Sequence, residues 1–154
     1  HYDHVGAVHY LKDIFSIPFC LHSKDEKLLK SANLYVRIFE GKDRIKVPTV
    51  DYYYDQVNIQ DYIDYFSIKV FFTPGHSKGG VCLLIEDILF TGDTLFNGLI
   101  GRVDLPGGDE KSLHNSLKII SKLKTSTVIF PGHGSSSTIG NELKYNEEFI
   151  QALK

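Results

Sequence analysis

Three segments of this chain share one pattern, in which an apolar run ends at a glycine and a residue that can bind a metal follows at once. They are residues 71–76, 89–93 and 129–133, and their last residues are His76, Asp93 and His133. A glycine lets the chain leave a strand in a sharp turn, so that the next side chain projects from the strand end. The pattern therefore predicts strand ends that converge on one place.

The first four residues add ligands of the same kind. His1, Tyr2, Asp3 and His4 resemble the second half of an HxHxDH metal-binding loop. Imidazole nitrogen and carboxylate oxygen are ligands that a divalent ion such as zinc accepts, and a catalytic site keeps one position open. A short peptide cannot wrap one ion with three successive ligands, which makes two neighbouring metals plausible, with a carboxylate as their bridge. The candidate ligands are His1, Asp3, His4, His76, Asp93 and His133.

Length and charge narrow the class of protein. The 154 residues predict one domain, residues 1–154. No apolar run approaches the roughly 20 residues that span a membrane, and a net charge of -2 does not favour nucleic acid. We expect a cytoplasmic protein without membrane or nucleic-acid partners, and the oligomeric state stays open. Because the chain contains no Met and begins with His1, the translated protein is expected to start upstream.

The first half of the chain gives weaker signals of secondary structure. Apolar spacing predicts a helix over residues 7–15, and residues 17–21 resemble a short buried strand. Ser23 and Glu26 form a capping-box pattern that predicts a helix over residues 24–31. Residues 33–65, rich in charges and tyrosines, suggest irregular surface structure that either shapes a substrate site or packs on itself.

The second half is more regular. Buried strands are predicted at residues 66–72, 81–85, 88–90 and 127–130, with a tight turn at Glu86 and Asp87. Asp109 is the predicted N-cap of a helix whose apolar residues begin at Leu113, and residues 141–153 predict a final helix. Cys20 and Cys82 lie in apolar runs without paired spacing, so we expect buried free thiols. Strands mixed with helices favour an α/β layered domain.

These motifs resemble the metallo-β-lactamase superfamily, whose signature is HxHxDH, a His, a bridging Asp and a final His. The match begins at the first residue and covers nearly the whole chain. More narrowly, four segments are similar to the short bacterial glyoxalase II-like hydrolases: residues 92–96, 101–109, 131–134 and 137–142. Ser135 stands where that group usually has a proline.

The resemblance implies an αββα sandwich that lacks its N-terminal strands, a loss expected to expose a sheet edge and apolar surface. It also implies two divalent ions, zinc first and iron or manganese as alternatives. One ion would be held by His1, His76 and Asp93, and that site would also need the opening His of the motif, which this sequence lacks. The second ion would be held by Asp3, His4, Asp93 and His133, with Asp3 also orienting the nucleophile.

The implied reaction is hydrolysis of a small acyl thioester of the S-acylglutathione class. Metal binding lowers the pKa of water, so that hydroxide is available near neutral pH. A mono-iron persulfide dioxygenase is the alternative, because those relatives share the Gly-Arg-x-Asp segment, whereas His133 within Pro-Gly-His-Gly favours the hydrolase. An inactive metal-binding fragment is a third possibility. A β-lactamase is disfavoured, because Asp93 rather than Cys stands at the bridging position and no secretory context is visible.

Three residues have weaker claims to substrate contact. Tyr2 lies between candidate ligands, Lys78 follows His76 closely, and Arg102 follows Asp93 by nine residues. Arg102 and Asp104 could contact an anionic substrate or pair with each other and brace the site loop, and we favour bracing. Lys78 is equally well explained as a solvated loop residue.

Overall fold

A computed structural model describes residues 1–41 and 44–154 of the chain. These residues form two compact units, His1–Val57 and Asn58–Lys154. The predicted single domain of residues 1–154 stays a prediction. Within the described ranges, none of the helices is long and apolar enough to cross a membrane.

The first unit is mostly helical. Its elements are α1 (Tyr2–Val5), α2 (Val8–Phe15), β1 (Cys20–Leu21), a 3-10 turn (Ser23–Asp25), α3 (Glu26–Lys30), α4 (Ala32–Glu40) and β2 (Tyr52–Tyr53). The two short strands pair in parallel, Cys20 opposite Tyr52 and Leu21 opposite Tyr53. A small core forms around Val5, Leu29 and Ala32.

Three expectations for this unit need correction. Ser23 is not the helix cap: the His22 ring accepts from the Lys24 N–H, and the Ser23 hydroxyl donates to the Asp55 carboxylate. The buried strand expected at residues 17–21 is limited to the two residues of β1, and Ile17 at its expected start is exposed. The expectation of irregular structure over residues 33–65 is wrong for the stretch that forms α4. Lys42 and Asp43 of that stretch lie outside the described residues.

The second unit is built on a five-stranded sheet. Its strands are β3 (Ile68–Phe72), β4 (Val81–Ile85), β5 (Ile88–Gly92), β6 (Val128–Pro131) and β7 (Ser137–Thr138), and they lie side by side in that order. Only β5 and β6 pair in parallel; the other neighbours are antiparallel. The turn predicted at Glu86 and Asp87 joins β4 to β5, with Glu86 in the left-handed region at φ 53°.

Helices cover one face of this sheet: α5 (Glu110–Ile120), α6 (Ile139–Tyr145) and α7 (Glu147–Ala152). The core beneath them includes Leu89, Leu117 and Phe149, each fully buried. Asp109 caps α5 as predicted, because its carboxylate accepts from the Ser112 N–H at 2.7 Å. The single helix expected over residues 141–153 is instead two helices, because the Asn146 side chain accepts from the Phe149 N–H and starts α7.

Candidate metal centre

Strand direction brings three predicted ligands of the second unit to one edge of its sheet. Because β3 and β5 are each antiparallel to β4, they run the same way, and β6 is parallel to β5. The carboxyl ends of these three strands therefore lie at the same edge, where side chains that follow the strands can meet. His76 follows β3, Asp93 follows β5, and His133 follows β6.

The Asp93 carboxylate lies between the two imidazoles. Its Oδ2 is 3.4 Å from His76 Nε2, and its Oδ1 is 3.8 Å from His133 Nε2. The Asp93 side chain is 13% exposed and that of His76 10%, whereas the His133 side chain is 56% exposed. Each carboxylate oxygen thus faces a different histidine, which is the arrangement that a bridging carboxylate needs.

This donor set fits a divalent metal. Imidazole nitrogen and carboxylate oxygen each bind zinc at about 2.0–2.2 Å. Two such ligands on one tetrahedral ion lie about 3.4 Å apart, from that bond length and the tetrahedral angle. The spacing between His76 Nε2 and Asp93 Oδ2 equals this separation at 3.4 Å. The same separation also suits an ion pair with a protonated histidine, so the metal assignment rests on the donor set as a whole.

A backbone carbonyl orients His76. The Nδ1 atom of His76 lies 2.8 Å from the carbonyl oxygen of Arg102. A carbonyl oxygen can only accept, so Nδ1 carries a proton, and in the neutral ring Nε2, the atom that faces Asp93, then keeps its lone pair. Histidines that bind metals commonly donate their other ring N–H in this way, which fixes both the tautomer and the ring orientation.

The segment that carries this carbonyl lies very close to two of the ligands. A Cβ atom added at Gly101 would lie 2.0 Å from the Asp93 carbonyl oxygen and 3.3 Å from the Cβ of His76. The Gly101 N–H also donates to the Thr94 carbonyl at 3.1 Å. Only a residue without a side chain fits here, so Gly101 permits the approach of residues 101 and 102 to the ligand edge.

A layer of buried hydroxyl groups lies beneath the ligand loops. Thr73, Thr91 and Thr94 are at most 3% exposed. The Thr73 hydroxyl contacts both Cys82 Sγ at 3.3 Å and the Thr94 hydroxyl at 3.5 Å, and Thr91 Oγ1 donates to the Leu95 carbonyl at 2.7 Å. These contacts join the segment before His76 to the segment around Asp93. Burial raises the pKa of the Cys82 thiol to about 11, which suits a packing role.

Arg102 pairs with Asp104. Arg102 Nε donates to Asp104 Oδ1 and NH2 donates to Oδ2, both at 2.6 Å. The guanidinium lowers the pKa of the Asp104 carboxyl to about 2. The pairing that we favoured is therefore present, while its bracing of the site loop and any contact of Arg102 with a substrate stay predictions. Lys78 is exposed, and its substrate contact is likewise a prediction.

The first unit holds the remaining candidates. His1 precedes the helical turn α1, so Asp3 and His4 lie on a helix rather than in a loop. The Asp3 carboxylate is 3.7 Å from His4 Nε2. The Tyr2 ring stacks on the Phe39 ring with centroids 6.5 Å apart, and Tyr2 packs against the small core of this unit. A place for Tyr2 in a substrate pocket stays a prediction, as does the assembly of the six ligands into one centre.

Comparisons with known proteins identify the family of this chain. The model of the metallo-β-lactamase superfamily matches residues 1–133. The chain belongs to this superfamily. Members of the superfamily are mostly hydrolases and bind divalent metals.

Individual relatives place the chain more narrowly. Hydroxyacylglutathione hydrolase GloC of Haemophilus influenzae is 32% identical, over 95% of this chain and 70% of the relative. The crystal structure of TTHA1623 in a di-iron-bound form is 36% identical with a TM-score of 0.82, covering 96% of this chain and 73% of that one. The BLEG-1 B3 metallo-β-lactamase is 36% identical with a TM-score of 0.86, covering 97% and 73%. The α/β metallo-β-lactamase fold and the relation to glyoxalase II-like hydrolases are thereby confirmed.

Proposed function

We propose that this chain is a metal-dependent hydrolase of small acyl thioesters of the S-acylglutathione class. The observation that carries the proposal is the Asp93 carboxylate between His76 and His133, with one oxygen toward each ring. Similarity to the Haemophilus hydroxyacylglutathione hydrolase supports this substrate class. A small-molecule substrate is also consistent with the net charge of -2, which does not favour nucleic acid.

The proposed centre holds two divalent ions. His1, His76 and Asp93 would bind one of them, and Asp3, His4, Asp93 and His133 the other, as the family resemblance implies. Zinc is the first candidate, and the di-iron form of the relative TTHA1623 makes iron the strongest alternative, with manganese as a third. The two Asp93 carboxylate oxygens face different imidazoles, which supports a carboxylate shared by the two ions.

Each protein group has a distinct task in this proposal. When bound, the ions lower the pKa of a coordinated water and polarise the substrate carbonyl. The Arg102 carbonyl holds His76 in the tautomer that leaves Nε2 available. The Asp3 carboxylate would hold the proton of the attacking water and orient it toward the substrate. The pair of Arg102 with Asp104 would keep the segment that supplies the carbonyl in place.

The experiment measures thiol release. The chain is loaded separately with Zn²⁺, Fe²⁺ or Mn²⁺, its metal content is determined, and S-lactoylglutathione is supplied. We expect metal-dependent loss of the thioester absorbance with one free thiol formed per turnover, and loss of this activity in Asp93→Ala. Asp87→Ala is the matched control, because Asp87 is a 77% exposed aspartate in the turn between β4 and β5 and should leave activity unchanged. A chain that carries metal and still releases no thiol would refute the proposal.

Hydrolysis of a β-lactam is a second candidate. The likeness to the BLEG-1 B3 metallo-β-lactamase, at 36% identity and a TM-score of 0.86, favours it, whereas Asp93 in place of Cys at the bridging position disfavours it. Both reactions attack an acyl carbonyl, so the same metal-loaded preparations can be offered a chromogenic cephalosporin. Ring opening without thioester cleavage would reverse the order of the two candidates. Oxygen consumption with glutathione persulfide would instead support the dioxygenase.

A further inference from the structure

Glu142 on α6 is a buried carboxylate with several hydrogen-bond donors around it. Only 2% of the residue is exposed, and a carboxylate is rarely buried unless its oxygens accept hydrogen bonds. Here Oε2 accepts from the Gly98 N–H at 2.9 Å and from the Asn146 side-chain amide at 2.8 Å. Oε1 accepts from the Ser137 hydroxyl. Glu142 therefore joins three separate segments of the second unit.

Two of these segments begin at candidate metal ligands. Gly98 is five residues after Asp93, and Ser137 is four residues after His133. The two segments follow the paired strands β5 and β6, which are joined just before the ligands by the Gly132 N–H, donating to the Gly92 carbonyl at 2.8 Å. Beyond the ligands the two segments separate from the sheet pairing. The Glu142 carboxylate bridges them with one oxygen on each side.

The residue next to Gly98 strengthens the same link. The Asn97 side-chain amide donates to the Ser135 hydroxyl at 3.0 Å and to the Ser136 carbonyl at 3.2 Å. Phe96, one residue earlier, places its ring 6.4 Å from the ring of His133. Residues 96–98 thus contact the segment that follows His133 as well as the histidine itself.

Helix α7 contacts the rest of the loop. Asn146 donates to the Leu99 carbonyl at 3.1 Å, and the Glu148 carboxylate accepts from the Ile100 N–H at 3.1 Å. Asn146 is 1% exposed and also donates to Glu142, so its own position depends on that carboxylate. The C-terminal helices therefore hold residues 98–100 from one side, with Glu142 at the centre of the contacts.

We infer that Glu142 is a positioning residue for the metal centre: it fixes the loop after Asp93 to the strand after His133 and thereby adds to the backbone hydrogen bond between Gly132 and Gly92 in restricting the relative movement of these two ligands. The inference rests on the proposed function for the metal, whereas the hydrogen bonds stand without it. Partners that orient metal ligands typically change metal affinity or activity by about 10–100-fold when they are removed. Glu142 acts through the Gly98 N–H on one side and the Ser137 hydroxyl on the other, and it is not one of the proposed metal ligands.

Four variants separate positioning from folding. Glu142→Ala removes all three acceptor contacts, whereas Ser137→Ala removes only the contact to β7. Glu142→Gln is the conservative rescue, since its amide oxygen can accept from Gly98 and Asn146 while its NH₂ donates to the Ser137 hydroxyl. Ile120→Val is the matched control, because it loosens the same core from α5.

Two readouts decide the inference. In the metal-free chain, hydrogen exchange is followed in peptides covering residues 94–100 and 132–138. In the loaded chain, zinc affinity is measured by competition with a chromogenic chelator. For Glu142→Ala and Ser137→Ala we expect faster exchange in both peptides and zinc affinity weaker by about 10-fold. Glu142→Gln and Ile120→Val should keep the wild-type affinity.

The inference would be overturned if Ser137→Ala and Glu142→Ala showed the same hydrogen-exchange rates and the same zinc affinity as the wild type. If Glu142→Ala does not fold, as judged by circular dichroism, Ser137→Ala alone decides it. A wild-type chain that binds no zinc, iron or manganese would sink the proposed function, and the exchange data on the metal-free chain would still decide whether Glu142 holds the two loops together.

Discussion

Replacing Gly101 with alanine adds one methyl group at a point where two segments of the second unit nearly touch. The added Cβ would lie 2.0 Å from the Asp93 carbonyl oxygen and 3.3 Å from the Cβ of His76. The φ angle of Gly101 is not in the left-handed region, so an alanine could adopt the backbone conformation. The expected effect of the substitution therefore comes from the close contact of the added Cβ with the Asp93 carbonyl oxygen and not from backbone strain.

The size of the required displacement follows from ordinary contact distances. A carbon and a carbonyl oxygen in contact lie about 3.3–3.6 Å apart. Against the 2.0 Å found at this position, Gly101 and Asp93 must separate by about 1.3 Å or more. Overpacking of this kind costs about 1–3 kcal/mol of unfolding free energy. Because the Arg102 carbonyl would move with residue 101, His76 would also lose its orientation, and metal affinity should fall by about 10–100-fold.

Urea unfolding of the metal-free protein measures the loss of unfolding free energy, and competition with a chromogenic chelator measures the loss of zinc affinity. Gly140→Ala is the matched control, since its Cβ would crowd the Thr125 carbonyl at 2.9 Å and not a ligand. We expect Gly140→Ala to lower stability and leave zinc affinity unchanged. If Gly101→Ala binds zinc as tightly as the wild type, residues 101 and 102 do not position the ligands.

Two further predictions concern the titration of single groups. Hydrogen bonds from the Ser23 hydroxyl and N–H lower the pKa of Asp55 to about 2, so Ser23→Ala should raise that pKa toward 3.8 in an NMR titration. Since the pKa of Asp55 is lowered by folding, the carboxylate contributes to stability above its unfolded pKa of about 3.9, and this contribution is lost as the pH falls through about 2. An unchanged pKa of Asp55 in Ser23→Ala would contradict the assigned role of the Ser23 hydroxyl. A thiol reagent at pH 8 should modify half-buried Cys20 before Cys82, because Cys82 is fully buried with its pKa raised to about 11. Mass spectrometry after brief labelling measures the order of modification, and finding Cys82 modified first would contradict the prediction.

The strand ends could be predicted because their signals are local. Each combines an apolar run, a glycine and a ligand within six residues, and the strand bounds agree closely with β4 and β5. The role of Asp109 as an N-cap could be predicted equally well, since a cap accepts a hydrogen bond from a residue only three positions ahead. These features depend on neighbours in sequence and hardly on the rest of the fold.

Features that depend on distant contacts were missed. Helix α4 was missed for a different reason: its apolar residues Ala32, Val36 and Phe39 do recur at helical spacing, but the charges and tyrosines of residues 33–65 concealed that pattern. The break between α6 and α7 is stabilised by Asn146, whose amide bonds Leu99 from 47 residues away. Glu142 likewise appeared as part of a family motif, and nothing in the sequence showed that its partners would be Gly98 and Ser137.

The oxygen that orients His76 belongs to the main chain of Arg102. Every amino acid supplies the same carbonyl, so an alanine scan of residues 102–104 would leave this hydrogen bond chemically intact. Such a scan would report Arg102 as an exposed partner of Asp104 and would overlook its contact with His76. Evolution can also exchange this side chain without exchanging the carbonyl, so the identity of residue 102 in a relative says little about whether its histidine is held in the same tautomer.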